Sequence, residues 1–285
     1  MRFEYVEPTT IQEALSSLIK YDGRGKVIAG GTDLLVQMRQ KTIKPEYVID
    51  ITYIPGLDYI RYDEREGLRI GALTTIRAIE LSAEARQRYP VISEAAGQLG
   101  SVAIRNLGTL GGNLCNAAPS AETAPALIGL SARAKIIGPD GEKVVPLEDF
   151  FTGPGTTVLK TGELLVEVQV PVPSLTTRGI YLKHAIRGSI DLAIIGVAVI
   201  ADLEPKEKIC KDIKIVLGAV APTAMRARKA EEILKGKRME ESLIEKSAEA
   251  ASAESKPITD VRASAWYRRE MVKVFTRQAL KEVMG

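Results

Sequence analysis

Residues 26–41 read KVIAGGTDLLVQMRQK, an apolar run that passes through two adjacent glycines into a segment with helical spacing. KVIAG (26–30) has the composition of a short buried strand, DLLVQMRQK (33–41) that of a helix, and EYVIDI (46–51) that of a second strand. Together they make a compact βαβ unit with Gly30 and Gly31 at its first strand-to-helix turn. A glycine pair there removes Cβ atoms, permits positive φ and lets a ligand approach backbone N–H groups at the positive end of the following helix. Phosphate suits that description. Thr32 adds a hydroxyl donor, and Asp33 is placed to cap the helix. A tight turn alone also uses two glycines, and the pattern is neither G-x-G-x-x-G nor a Walker loop, so this stretch by itself leaves both readings open.

Upstream, Thr10 and Glu13 form a capping-box pattern for a helix over 11–20, ended by DGRGK. The βαβ unit closes a first domain over 1–55. From GLRIGALTTI (67–76) the pattern becomes a strand, helices over 75–86 and 90–100, and a glycine-rich passage, RNLGTLGGNLCNAAPSAETAP (105–125). AKIIG, the turn PDGE, KVVPL and ELLVEVQVPV then read as strands of a sheet with a hairpin, completing a second domain over 56–172. PVPSLTTRG (171–179) is the boundary. Strands YLKHAIR, LAIIGVAVIADL and DIKIVLGAV follow, then helices over 226–235, 240–254 and 262–283, an α+β third domain over 175–285. In the last helix Tyr267, Met271, Val274, Phe275 and Leu280 share one stripe, which is a packing pattern.

Composition excludes several functions. The 285 residues are 45% hydrophobic, and 39 Lys+Arg against 36 Asp+Glu give a formal charge of +3, with no basic run interleaved with aromatics of the nucleic-acid-binding kind. No apolar run approaches the roughly 20 residues of a membrane helix, and MRFEYVEP lacks the apolar core of a signal peptide, so the expected location is cytoplasmic. Cys115 and Cys210 are too few for the four thiolates of an iron–sulfur cluster, and that compartment disfavours a disulfide between them. His184 is the only histidine, which argues against triad chemistry and multi-histidine metal sites. Neither catalytic residues nor metal ligands are assigned, so redox or binding chemistry should come from a cofactor that the chain holds.

A second cluster strengthens the ligand reading. GTLGGNLCNAAPSAE (108–122) sets Gly108, Gly111 and Gly112 among Thr109, Asn113, Asn116 and Ser120, a density of bare backbone and small polar groups that a hydrophobic core does not need. Two such loops can grip one large anionic ligand, and a dinucleotide's pyrophosphate is the economical choice. AGGTDLL (29–35) with IRNLGTLGGNLCNAAPSAE (104–122) resembles the FAD-binding subunit, or medium chain, of the xanthine dehydrogenase and carbon monoxide dehydrogenase family of molybdenum hydroxylases. The likeness spans essentially the whole chain, including GELLVEVQVP and YLKHAIRGSIDLAIIGVAV.

The resemblance implies an α+β fold: a two-part FAD-binding domain of the PCMH type, with a small βαβ lobe and a mixed or antiparallel sheet lobe with helices, then an α+β C-terminal domain with a three-stranded antiparallel sheet. It also implies that Ala29, Gly30, Gly31, Thr32 and Asp33 wrap the FAD pyrophosphate, that Thr109, Gly111, Gly112 and Asn113 form a second phosphate and ribityl clamp, and that Leu34 and Cys115 lie near the flavin. By the same likeness Glu122 bonds the ribityl or ring edge, Leu165 lines the cleft, and Lys183 reaches the isoalloxazine carbonyl side. Glu122 stands where many relatives have aspartate, and Leu192 where some have an aromatic, so no contact is carried over for Leu192. Read without the resemblance, Lys183 and His184 alternate on a strand, one inward and one outward, and either can be a solvated side chain; Cys115 is a small buried hydrophobe, and Glu122 caps the helix that begins near TAPALIGL.

The activity implied is electron transfer: FAD in this chain receives electrons from two [2Fe–2S] clusters in a small partner subunit, fed by a molybdopterin cofactor in a large one, and delivers them to an external acceptor. The expected assembly is a dimer of heterotrimers. Two rivals stand beside this reading, a self-contained flavin oxidoreductase of the same superfamily and a scaffold that kept the fold without cofactor. An additional four-iron cluster inside the chain is excluded by the cysteine count.

Overall fold

The computed structural model describes residues 2–187 and 191–285. Its first sheet is parallel, with β3 (Tyr47–Asp50) between β1 (Glu4–Val6) and β2 (Gly25–Ile28). Helix α1 (Ile11–Lys20) joins β1 to β2, and α2 (Leu34–Arg39) joins β2 to β3, so the βαβ unit is present and β1 extends it. The sequence reading lacks β1 because three residues are too few to show a period. Thr10 caps α1 by accepting from the Glu13 N–H at 3.2 Å; the Glu13 carboxylate turns instead to Thr9, taking its N–H at 2.8 Å. Asp33 occupies the N-cap of α2 without a side-chain cap bond, so the capping expected of it is not made.

Thirteen strands and α-helices follow. Strands β4 (Ile60–Asp63) and β5 (Gly67–Gly71) form a hairpin, and helices α3 (Ile76–Leu81), α4 (Ala83–Arg88), α5 (Pro90–Gly97), α6 (Val102–Leu107), α7 (Leu110–Asn116) and α8 (Thr123–Gly129) come next. Then come β6 (Arg133–Gly138), β7 (Gly141–Pro146), the short pair β8 (Phe151–Gly153) and β9 (Thr156–Thr157), and β10 (Leu164–Val170). The second sheet is antiparallel in the order β4-β5-β10-β6-β7. The helix expected over 75–86 breaks at Ser82, whose hydroxyl accepts from the Ala85 N–H at 3.2 Å and so starts a new helix. The glycine-rich passage is helical rather than looped, because Ser101 and Thr109 each supply an N-cap bond.

The last part holds β11 (Thr177–His184), β12 (Ile195–Leu203), β13 (Cys210–Gly218) and the two-residue edge strand β14 (Met225–Arg226), followed by α9 (Arg228–Leu234), α10 (Glu241–Glu254) and α11 (Ala265–Met284). The three expected strands are antiparallel neighbours, and β14 adds a fourth. Residues 188–190 of the stretch quoted for the family likeness lie outside the described residues. Helices α5 and α8 pack on one face of this sheet and α11 on the other, so every residue of β12 except Asp202 is buried, which explains its unbroken apolar sequence. Tyr267, Met271, Phe275 and Leu280 join that core, but Val274 stays 36% exposed, off the buried stripe.

Arg268 pins α11 to the sheet. Its side chain is buried, donating to the Ile194 carbonyl at 2.6 Å, the Ala219 carbonyl at 3.1 Å and Asp260 Oδ1 at 2.8 Å. Arg268→Ala strips the partner from all three acceptors and is expected to cost about 3 kcal/mol. Denaturant unfolding checks this, and a loss within experimental scatter of zero contradicts the pinning role.

Candidate functional site

Gly30 and Gly31 leave β2 against the end of α6. A Cβ on Gly30 would stand 1.9 Å from the Leu107 carbonyl oxygen, so glycine is required there by backbone packing whether or not a ligand is present. Gly31 has φ +68, a left-handed conformation that a β-branched residue resists. Among the described residues none accepts a hydrogen bond from the backbone N–H of Gly30, Gly31, Thr32 or Asp33. Four consecutive residues that line one cavity thus keep unspent main-chain donors, which are satisfied by water or by a ligand.

The second glycine segment differs. At the start of α7 the Leu110 N–H donates to the Thr74 carbonyl at 2.9 Å and the Gly111 N–H to the Ala72 carbonyl at 2.8 Å. The Gly112 N–H reaches the Thr109 hydroxyl at 3.0 Å, and the Asn113 N–H the Thr109 carbonyl at 2.9 Å. A Cβ on Gly111 would meet Ala72 at 2.8 Å, whereas one on Gly112 would meet only the Thr109 hydroxyl, at 2.9 Å. The backbone here is therefore already committed. What it can offer a ligand is bare space over Gly112, the Thr109 O–H and the Asn113 amide N–H, the Asn113 oxygen being taken by the Thr123 hydroxyl at 2.5 Å.

Both segments line one cavity of about 710 Å³, within the range of small-molecule sites. Ala29, Gly30, Gly31, Thr32, Asp33, Leu34, Thr109, Gly111, Gly112, Asn113, Cys115, Glu122 and Leu165 all contribute to its wall, as does Leu192. Asp33 is an exposed residue on the cavity wall, and partial desolvation raises its carboxyl above the usual carboxylate range. Burial pushes the Cys115 thiol up to about 12, so at neutral pH it is a protonated, inert group.

Lys183 is the exception, for it does not reach the cavity wall. Its ammonium is spent on three acceptors at 2.8 Å each: the Gln98 carbonyl at the end of α5, Glu122 Oε1 at the start of α8, and the Asp191 carbonyl. Lysine and glutamate side chains are 9% and 6% exposed, a buried ion pair, and Glu122 makes no side-chain cap on α8. Burial raises the Glu122 carboxyl even though Lys183 pulls the other way. His184 points to the opposite face of β11 and meets the Tyr267 hydroxyl at 3.0 Å, as strand alternation requires. Sequence reading found both members of the pair but not the pairing, since 61 residues separate them. It missed Gln98 and Asp191 because they act through main-chain oxygens, which no residue type advertises.

The site can be compared with known proteins. Residues 1–173 match the family described as the FAD binding domain in molybdopterin dehydrogenase, and residues 180–283 match the CO dehydrogenase flavoprotein C-terminal domain. The chain is an FAD-binding subunit of the xanthine dehydrogenase and carbon monoxide dehydrogenase family of molybdenum hydroxylases. It is 34% identical to the glyceraldehyde dehydrogenase medium chain of Sulfolobus acidocaldarius over 99% of this chain and 98% of that one, and 28% identical to the xanthine dehydrogenase FAD-binding subunit of Escherichia coli O157:H7 over 99% and 96%. It superposes on a chain of carbon monoxide dehydrogenase from Hydrogenophaga pseudoflava, in a form lacking the Mo-pyranopterin moiety of its molybdenum cofactor, with a TM-score of 0.95 and 33% identity, covering 99% and 96% of the two chains. The α+β architecture is that of this family, and the flavoprotein is an oxidoreductase subunit.

Two outcomes follow for the flavoprotein. Lys183→Met leaves Glu122 buried without its cation and should destabilise the fold by about 3–5 kcal/mol, while adding Glu122→Gln should recover most of that loss. A double-mutant cycle in denaturant checks it, and equal losses for the single and double variants would contradict the ion pair. Cys115 in the native chain at pH 8 should react with a thiol reagent at least about tenfold more slowly than free cysteine, and the two rates converge once the chain is unfolded.

Proposed function

We propose that the cavity holds FAD with its diphosphate against the N–H groups of Gly30, Gly31, Thr32 and Asp33. The observation that carries this reading is the row of four unspent donors, facing a second bare segment across one cavity. Thr109 O–H and the Asn113 amide complete the polar grip from the far side, with bare backbone at Gly112 leaving room for the ligand and Gly111 holding the segment against Ala72. Ala29, Leu34, Cys115 and Leu165 supply apolar wall. Glu122 offers a carboxylate oxygen to a hydroxyl or ring N–H of the ligand. Lys183 acts indirectly, by orienting Glu122 and by holding the main chain at Asp191 beside Leu192. Bound FAD supplies the redox chemistry, accepting electrons from partner [2Fe–2S] clusters and releasing them to an external acceptor. The chain's own task is to bind the group, orient it and exclude water.

The working division is a first FAD-binding lobe over 1–55, a second over 56–172 and a C-terminal domain over 175–285. The partners are an iron–sulfur small subunit and a molybdenum large subunit carrying the molybdopterin cofactor, assembled as a dimer of heterotrimers in the cytoplasm. In support, relatives carry the names medium chain and FAD-binding subunit, and among the described residues no helix is long and apolar enough to cross a membrane.

Gly112→Val tests the clamp more cleanly than a change at Gly31, because Gly112 has no positive φ and its only close neighbour is a hydroxyl. The native chain should carry about one FAD, seen in its visible spectrum. The variant should lose most of it with an unchanged far-ultraviolet circular dichroism spectrum, at a stability cost of about 1 kcal/mol from the displaced cap. Stoichiometric flavin in the variant, or none in the native chain, refutes the reading.

A further inference from the structure

The formal charge on the cavity wall has the wrong sign for a diphosphate. Four carboxylates line it, those of Asp33, Glu122, Glu163 and Asp191, and among the described residues the one lining cation is Lys26. Three of the four are compensated within the protein. Glu122 is paired with Lys183 at 2.8 Å and Glu163 with Lys143 at 2.5 Å, while Asp191 has the Arg187 guanidinium at 3.7 Å and the N–H groups of Arg187 and Leu192 at 3.1 and 3.0 Å. Asp33 differs. Among the described residues its carboxylate accepts no hydrogen bond and joins no ion pair, and partial desolvation is what raises its carboxyl. The charged groups around it offer no relief. On its own helix Arg39 lies at the far end of α2, and on α6 Arg105 is turned to Glu80 and the Leu99 carbonyl. Lys26 of β2 is exposed on the wall. At the start of α8 stands Glu122, whose carboxyl is raised chiefly by burial and in smaller measure by the charge of Asp33 itself.

We propose that Asp33 takes up a proton when FAD binds, so that cofactor and proton enter the cavity together and the diphosphate meets a neutral acid instead of a second anion. The inference rests on the flavin reading above. Geometry selects this residue. The main-chain N–H of Asp33 is one of the four open donors, so a phosphate held by that row lies within a few ångströms of the Asp33 carboxylate, with no paired cation to separate them. A like charge at that range disfavours ionisation, and covering an exposed carboxylate removes the water that screened it. The balance is simple: carboxylate, FAD dianion and one proton give a complex of the same total charge. Protonation also gives Asp33 an O–H donor where it had only acceptors. A divalent cation is the other way to screen two neighbouring anions, but among the described residues no three His, Cys, Asp or Glu side chains are grouped to hold one. The sign of the linkage follows. The carboxyl holds its proton more firmly with FAD than without it, so binding strengthens as pH falls and weakens as pH rises past the carboxyl's value in the complex.

The test strips flavin from the co-expressed complex and titrates FAD back across a pH series, read by flavin fluorescence. Calorimetry in buffers of different ionisation heat counts the protons taken up. FAD should bind at least about fivefold more tightly at pH about 5 than at pH about 8, with net proton uptake between them. Asp33→Asn keeps the N–H row and removes the charge. It should bind FAD more tightly than the native complex at the alkaline end and lose most of the pH dependence and of the proton uptake. The same pH dependence in native and variant overturns the proposal, and so does a native affinity that changes by less than about twofold over the series. An affinity that a chelator abolishes and Mg²⁺ restores overturns it in favour of a bridging cation. If the variant fails to assemble, the proton count on the native complex decides, an uptake of zero overturning the proposal. A native complex that binds no FAD at any pH sinks the cofactor reading instead.

Discussion

The architecture of the site depends on one close approach of main chain to main chain. Gly30 lies so near the Leu107 carbonyl that even a methyl group there would collide with it. That contact ties the exit of β2 to the end of α6, and because Thr109 caps α7 two residues later, it also sets where the second glycine segment begins. Both walls of the cavity therefore follow from one pair of backbones in register. Along Gly30–Asp33 the main-chain N–H groups have no acceptor among the described residues, which puts partial positive charge on that wall of the cavity, whereas those of Leu110–Asn113 are satisfied within the protein.

A second constraint works from behind the wall. The Lys183 ammonium joins the end of α5, the start of α8 and the main chain at Asp191, three segments from two different sheets' surroundings. A buried ion pair of this kind adds little net stability over a well-packed apolar pair, so its worth lies in fixing geometry. It fixes the direction of Glu122 and the height of Leu192 over the cavity together. A change in either partner is felt at the cavity although the lysine never touches it.

Much of this was legible in the sequence. The βαβ unit, the hairpin through Pro139–Asp140 and the long C-terminal strands come from period and turn chemistry that local residues state openly. Thirteen of the fourteen anticipated site residues line the cavity: the clustered glycines, threonine and asparagine are a signal the residues carry themselves, whereas Leu34, Cys115, Glu122 and Leu165 came only from the family resemblance. Other features were not readable. The helical state of Leu110–Asn116 depends on the Thr109 cap overriding the poor helix propensity of two glycines. The reasons for Gly30 and Gly111 proved to be packing against Leu107 and Ala72, partners distant in the chain. Lys183 was legible as one of an alternating pair with His184, but which of them faces inward, and the pairing of Lys183 with Glu122, are tertiary facts that no local pattern carries.

The burial of β12 on both faces has a bearing on how the chain comes off the ribosome. Helices α5 and α8 are complete long before the strands that cover them, β11 to β13, have been synthesised. Until then the nascent first two-thirds shows a wide greasy flank of its own, and such a species is sticky. A truncation near residue 173, though it would keep both glycine segments, would leave that flank permanently bare, so the cofactor cradle and the C-terminal sheet are best regarded as a single unit of solubility.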